Sequence, residues 1–382
     1  MPKLLFLAAL NLVKNPGRAL ALVLGIGGPL FLFIAGAAIS AGLSRDATVS
    51  IESGADIYVT FDRGGLDANI PVSYVEELSK SQFVVEVRPR IVARLAVAPE
   101  TWALVLGIDP IAAEEATGLQ SGRLFESNSK NEVALGPVLA QRLGLTPGKQ
   151  LLLATAFTHK VVTVVGILSR KGTLWDSAVI WAPFAQAQEL FGMRDLATDI
   201  LIRTRDEISA TRLADRLARS EPRLRIQTRG LVRRYVLQGY GVTSGVFSAI
   251  YAVTFASGVL ALLVISGLGS KERRREVALL KALGWSARHI LVLVSLEALL
   301  CCLLASALSF LFAFAWVRLF NAPLLASLFI AELDWFPGIE IPAQFDAGIL
   351  ALGLGVSLAI TWAGTLIPTW RTACVPLRET LR

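Results

Sequence analysis

Few side chains in this 382-residue chain are of kinds that carry chemistry, and they are scattered. There are two histidines, His159 and His289, and three cysteines, Cys301, Cys302 and Cys374. A nucleophilic or metal site needs such groups gathered with a base or with further ligands. His159 has no Ser or Cys partner nearby in sequence and borders a strand-like run. It reads as a surface histidine, with a non-local triad left open. Adjacent Cys301-Cys302 fits no metal spacing and sits in an apolar block, so small packing residues in a helix are the plainer reading. No cysteine falls in the middle of the chain, so no disulfide there marks a compartment. Gly144–Lys149 invites comparison with a phosphate-binding loop. Its glycines are one residue too close, Gln150 stands where Ser or Thr is required, and a helix precedes it, so a tight turn is expected. The expectation is a chain without catalytic residues, bound cofactor or metal.

Two features remain. Glu297 lies well inside an apolar stretch, and an acid within a membrane span is a functional candidate. It is also about two turns from the end of that stretch, where snorkelling or a helix–helix hydrogen bond would serve equally. The second feature is Lys271-Glu272-Arg273-Arg274-Arg275-Glu276-Val277-Ala278-Leu279-Leu280-Lys281-Ala282-Leu283-Gly284. It follows an apolar block with no breaker, so the helix should run on. Val277, Leu280 and Leu283 share a face at a spacing of three. Gly284 suits a C-terminal cap, and Ser286 can cap the next helix. The result is a hairpin tip with an apolar face and a charged collar. Lipid-snorkelling arginines would need only the charge. The apolar patch favours a surface on which a partner docks, through Glu272, Arg274, Arg275, Glu276, Val277, Leu280, Lys281, Leu283 and Gly284.

The elements that hold these residues follow from composition. Hydrophobic residues make up 54% of the chain and charged ones 18%, and the mean hydropathy is +0.59. The apolar excess falls in four blocks, each long enough to cross a hydrocarbon core roughly 30 Å thick. These are expected as spans over 19–41, 242–268, 290–319 and 348–368. Residues 1–18 read as an amphipathic elbow, broken from the first span at Asn15-Pro16-Gly17. A cleaved signal peptide is the rival for the first block, but the run is long for one and has its own apolar segment before it. Lys and Arg gather in 1–18, in the hairpin 269–289 and in the tail 369–382. The 320–347 loop has Glu332, Asp334 and Glu340 but no Lys or Arg from Asn321 to Phe345. Both termini are therefore expected in the cytosol and residues 42–241 outside. The net charge of +7 is accounted for by this bias, and nucleic acid is not an expected partner.

Residues 42–241 read as alternating strands and helices, ending in a stalk. Strand-like Ala55–Thr60, helical Val72–Lys80 and strand-rich Val84–Val97 form one β-α-β unit. Thr198–Arg203, Ile208–Ser220 and Leu224–Thr228 form another. Two such units make a split ferredoxin-like sheet with an insertion between them. The insertion is richer in strands: Glu132–Gly136, Gln150–Ala154, Lys160–Leu168 and Ala178–Ala182, with a short helix at Pro137–Leu143. The fold class is thus four membrane helices plus an α+β extracytoplasmic domain.

The hairpin, Glu272–Gly284, resembles the cytosolic signature of FtsX/MacB-type (type VII) ABC transporter permeases. Asn11-Leu12-x-Lys14-Asn15-Pro16-x-Arg18 is similar to that family's elbow. Glu297 stands where its third span often carries Glu. Pro368-x-x-Arg371 and Pro376-Leu377-x-Glu379-x-Leu381-Arg382 resemble its C-terminal signature. Gly122-Arg123, Asn131–Gly136 and Gly144–Lys149 look like its MacB-like periplasmic core domain. The resemblance implies a permease subunit in a bacterial inner membrane, with ATP bound by a separate cytosolic subunit docked on the hairpin and elbow. It also implies a second permease chain, with a periplasmic adaptor or membrane-fusion protein as a further candidate partner. Such permeases work by mechanotransmission on lipoproteins, lipids, peptides or lipophilic compounds. The alternative is a signal transducer that transports nothing, regulating a cell-wall hydrolase or sensing an antibiotic. A membrane-anchored enzyme is a third reading, without a local catalytic motif to support it.

Overall fold

A computed structural model describes residues 2–99, 101–109, 118–126, 129, 131–169, 178–240, 245–268, 276, 278–323, 325 and 341–366. The chain divides into two compact units. The helical one comprises Met1–Gly42, Tyr240–Leu325 and Ala343–Arg382, and the other comprises Leu43–Gly239 with Ala326–Pro342.

In the helical unit, α1 (Pro2–Lys14) and α2 (Pro16–Ser53) are separated by Asn15 alone. Pro16 starts α2, where its missing N–H costs no hydrogen bond. α2 runs beyond the apolar stretch, through Ser44-Arg45-Asp46. Neither Gly nor Pro occurs from Leu43 to Ser53, and the Thr48 and Ser50 hydroxyls donate back to the carbonyls of Ser44 and Asp46 at 2.7 and 3.1 Å. α8 (Gly245–Leu268), α9 (Ala287–Phe320) and α10 (Ala347–Thr361) follow, with a π-turn at Trp362–Leu366 ending the last. The helices of the α/β unit are α3 (Tyr74–Ser79), α4 (Pro137–Leu143), α5 (Phe184–Leu190), α6 (Glu207–Ser220) and α7 (Arg229–Tyr240). Among the described residues, four helices, including α2, are long and apolar enough to cross a membrane. Their packing uses small residues. Cys302 Sγ lies 3.1 Å from Ser357 Oγ, and Ser306 Oγ lies 2.7 Å from the same oxygen, tying α9 to α10. Ser309 Oγ donates to the Gly27 carbonyl at 2.9 Å, tying α9 to α2. Cys301 is buried among Leu22, Ile26, Leu262 and Ile360. Both cysteines therefore pack as expected, while Cys374 lies outside the described residues.

The α/β unit contains the expected split sheet. Its strands β1 (Ile57–Arg63), β4 (Val84–Ala98), β12 (Asp199–Thr204) and β13 (Leu224–Thr228) run in the order β13-β1-β12-β4, every neighbour antiparallel. Helices α3 and α6 cover one face. There Ile57, Val59, Ile200 and Ile202 meet Leu78, Ala210 and Leu213. Asp206 caps α6, its Oδ1 accepting the Ser209 N–H at 2.7 Å. β4 continues past this sheet. Its second half pairs with β5 (Thr101–Ile108), which starts the insertion. The insertion also holds β6 (Leu119–Gly122), β7 (Glu132–Leu135), β8 (Gln150–Ala154), β9 (His159–Leu168) and β10 (Val179–Pro183). The sheet continues β5-β10-β7-β9-β6, with β5–β10 and β7–β9 parallel. Short pieces β2 (Leu66–Ala68), β3 (Ile70–Pro71) and β11 (Leu196–Ala197) complete the strands. The Gly144–Lys149 stretch is a turn. Gly144 and Gly148 have φ of +63° and +94°, and Lys149 Nζ donates to the Gly144 carbonyl at 2.8 Å. His159 is exposed at the start of β9.

Candidate functional site

The hairpin begins with a closed end. Residues 278–282 are helical, and Gly284 adopts φ +87°. The Trp285 N–H donates to the Leu280 carbonyl and the Gly284 N–H to Lys281, both at 3.0 Å. This is a Schellman closure, and it needs a left-handed residue at its turn. A Cβ on Gly284 would meet nothing within 4 Å, so conformation rather than space requires glycine. Ser286 then caps α9, its hydroxyl accepting the His289 N–H. The turn is thus closed by backbone bonds and the second helix by a side-chain cap.

This closed end presents apolar surface. Leu279 is 61% exposed and Leu283 77% exposed, one turn apart, so they lie side by side. Leu280 and Lys281 are half-buried. The exposed pair is therefore Leu279 with Leu283, and Leu279 is a residue that a spacing of three from Val277 does not select. Of the other expected docking residues, Glu272, Arg274, Arg275 and Val277 lie outside the described residues, as does Lys271.

Glu276 and Glu297 are drawn together by the elbow. Glu297 is only 4% exposed. Asn11 Nδ2 on α1 donates to its Oε1 at 3.0 Å. An Arg18 guanidinium nitrogen lies 3.7 Å from its Oε2, and another lies 3.9 Å from Glu276 Oε2. A carboxylate taken from water is costly unless charge and hydrogen bonds compensate it. Here one residue from α1 and one from the start of α2 do so. Of the two structural roles open to Glu297, the helix–helix hydrogen bond is the one observed, with an ion pair beside it. Arg18 touches the hairpin with one nitrogen and α9 with another, so it bridges two segments that the sequence separates.

Asn11 and Arg18 are visible in sequence only as parts of the elbow motif. Asn11 and its partner are 286 positions apart, and no local periodicity encodes such a contact. The one available signal is chemical: a buried Glu requires a donor. No group of three or more His, Cys, Asp or Glu able to hold a metal occurs among the described residues.

Residues 19–220 match the MacB-like periplasmic core domain, and residues 248–376 match the FtsX-like permease C-terminal domain. An uncharacterized ABC transporter permease protein of Mycobacterium tuberculosis is 27% identical over 184 residues, 47% of this chain and 21% of that protein. The match thus spans about a fifth of that relative's length. The periplasmic region of MacB from Actinobacillus actinomycetemcomitans is similar at 16% identity and TM-score 0.39, covering 49% of this chain and 95% of the other. The extracellular domain of the noncanonic ABC-type transporter YknZ from Gram-positive bacteria is similar at 16% identity and TM-score 0.36, covering 45% and 99%.

Proposed function

Since the chain belongs to the FtsX/MacB-type family of ABC transporter permeases, we propose that it is the membrane subunit of an ATP-driven assembly working by mechanotransmission. A separate cytosolic subunit binds and hydrolyses ATP. It docks on the hairpin, and its closure moves the spans and the α/β domain on the far side of a bacterial inner membrane. Both termini are cytosolic in this reading. A second permease chain completes the assembly, with a periplasmic adaptor as a further partner. The cargo is a lipoprotein, lipid, peptide or lipophilic compound, exported or extracted.

The observation that carries this reading is the pair Leu279 and Leu283, exposed on a turn closed by backbone hydrogen bonds. Burying two such leucines on a partner contributes on the order of 2–4 kcal/mol. A rigid tip also transmits displacement, because little of the push is lost in bending the turn. Arg18 lets that push reach more than one span: its contacts to Glu276 and Glu297 link hairpin, elbow and α9.

The test is recruitment. Full-length chain carrying Leu279→Asp with Leu283→Asp is purified from its native host, and ATP hydrolysis is measured per mole of permease. The expected result is a fall of about tenfold or more in co-purified activity, from the lost apolar burial. Undiminished activity would remove the hairpin from the docking surface.

A further inference from the structure

The ferredoxin-like sheet has a second face, turned away from α3 and α6. Strand alternation gives that face Tyr58 from β1, Leu201 and Arg203 from β12, and Glu86, Arg88 and Arg90 from β4. The cross-strand register agrees, setting Leu201 opposite both Tyr58 and Arg88, and Arg203 opposite Glu86. Here the face forms the floor of a cleft of about 210 Å³. One wall is the end of α2, with Ser50, Ser53 and Gly54. The other is the insertion sheet, contributing Leu106, Ile108 and Trp181. The whole cleft lies within the α/β unit.

Its two sides differ in kind. On the floor, three guanidinium groups line the cleft against the single lining carboxylate of Glu86. Glu86 pairs with Arg88. Arg90 is held from the side by Asp199, Nε to Oδ1 at 3.0 Å and the terminal nitrogen to Oδ2 at 2.5 Å, and its guanidinium stands 5.6 Å from the Tyr58 ring centre. Burial alone would lower the Arg90 pKa, but the Asp199 charge and hydrogen bonds outweigh it and raise it, so the group stays cationic. The insertion wall is apolar, with Leu106, Ile108 and Trp181. Trp181 is 2% exposed, and its Nε1 is buried with no hydrogen-bond partner among the described residues. The shape also depends on a close approach: a Cβ on Gly54 would fall 2.2 Å from the Tyr58 hydroxyl, so only glycine lets Tyr58 fold against the end of α2.

We infer that this cleft binds an anionic amphipath, a molecule with an oxyanion head and a short apolar body. Arginine donors match the planar geometry of carboxylate and phosphate oxygens. The head sits over Arg88 and Arg203, and the apolar body lies along Leu106, Ile108 and Leu201. The volume is below the roughly 300–1,000 Å³ of sites for drug-sized ligands, so a head and the first few carbons fill it.

The experiment uses the full chain in nanodiscs of zwitterionic lipid, with its eight tryptophans replaced by 5-fluorotryptophan. Trp181→Phe assigns the ¹⁹F resonance of Trp181. Hexanoate and hexyl phosphate are titrated against hexanol and hexyltrimethylammonium. The expected result is a saturable shift of the Trp181 signal with an anionic probe, absent with the neutral and cationic ones. Whichever anion binds more tightly identifies a carboxylate or a phosphate as the natural head. Arg88→Gln with Arg203→Gln should weaken that binding at least about tenfold, while unchanged resonances of the other tryptophans show that the fold is intact. Equal shifts with all four probes, no saturable shift with either anion, or binding indifferent to the double substitution would overturn the inference. The readout involves no ATPase, so its failure leaves the reading of the hairpin untouched.

Discussion

At the scale of single residues, Arg18 and Glu297 do different jobs with one contact. Glu297 is buried and needs compensation, whereas the Arg18 side chain is 40% exposed and sits 3.7 Å away. A fully buried pair that loses a partner costs roughly 3–5 kcal/mol. Partial exposure and the long separation reduce this to about 1 kcal/mol for Arg18→Met. Glu297→Gln should cost less, because a glutamine oxygen still accepts from Asn11. The double substitution should cost less than the sum, since a neutral amide in place of the carboxylate no longer needs a cation. Thermal unfolding of the four proteins in one detergent checks this, and strict additivity would show that the two groups act independently. Gly284 is a second residue whose role is local. Gly284→Ala places a Cβ at φ +87°, a strain of about 1 kcal/mol. It should weaken ATPase recruitment by several-fold, and Gly284→Asn should recover part of the loss because Asn tolerates the left-handed region.

Among the elements, α6 offers a titratable probe of the α/β unit. The Ser209 backbone N–H, and then its hydroxyl, hold the Asp206 carboxyl below the usual carboxylate range. A lowered folded-state pKa contributes stability above the unfolded value of about 3.9, and that contribution is lost as pH falls through the folded value. Asp206→Ala should therefore lower the unfolding midpoint at pH 7, and the gap from the unsubstituted protein should close as the pH drops below about 3.9. A gap that persists in acid would mean that the carboxylate is not what stabilises the helix. This cap is written in sequence as a short polar residue before an amphipathic run, and the one at Ser286 as a short polar residue before an apolar run. β5 is not. Thr101–Ile108 alternates between buried and half-buried residues, and Pro99-Glu100 is a weak turn signal, so the strand is defined by its long neighbour β4. α5 has only seven residues after Pro183, too short for a helical period to stand out.

Over the whole molecule, the layout of one span, a large domain and three spans is legible because apolar runs of that length have few other solutions in water. The ferredoxin-like order is legible for a similar reason: two β-α-β units of matching pattern have few ways to share a sheet. What stays hidden are the contacts across long separations. Asn11 to Glu297 joins distant segments of the helical unit, and the charged face of β4 comes to line one cleft with Trp181 of the insertion only after folding. Such pairs arise from packing, and a single sequence carries no periodicity for them.

In the proposed function, ATP binding on a partner at the hairpin moves the α/β domain. The direct measurement is a spin-label distance between Ala218→Cys on α6 and Leu319→Cys at the end of α9. The chain has Cys301, Cys302 and Cys374 replaced by alanine and is assembled with its ATPase in nanodiscs. Trapping with ATP and vanadate should shift the distance distribution by several ångströms, and Leu279→Asp with Leu283→Asp should abolish the shift. A distribution unchanged by nucleotide while the ATPase remains bound and active would contradict the account.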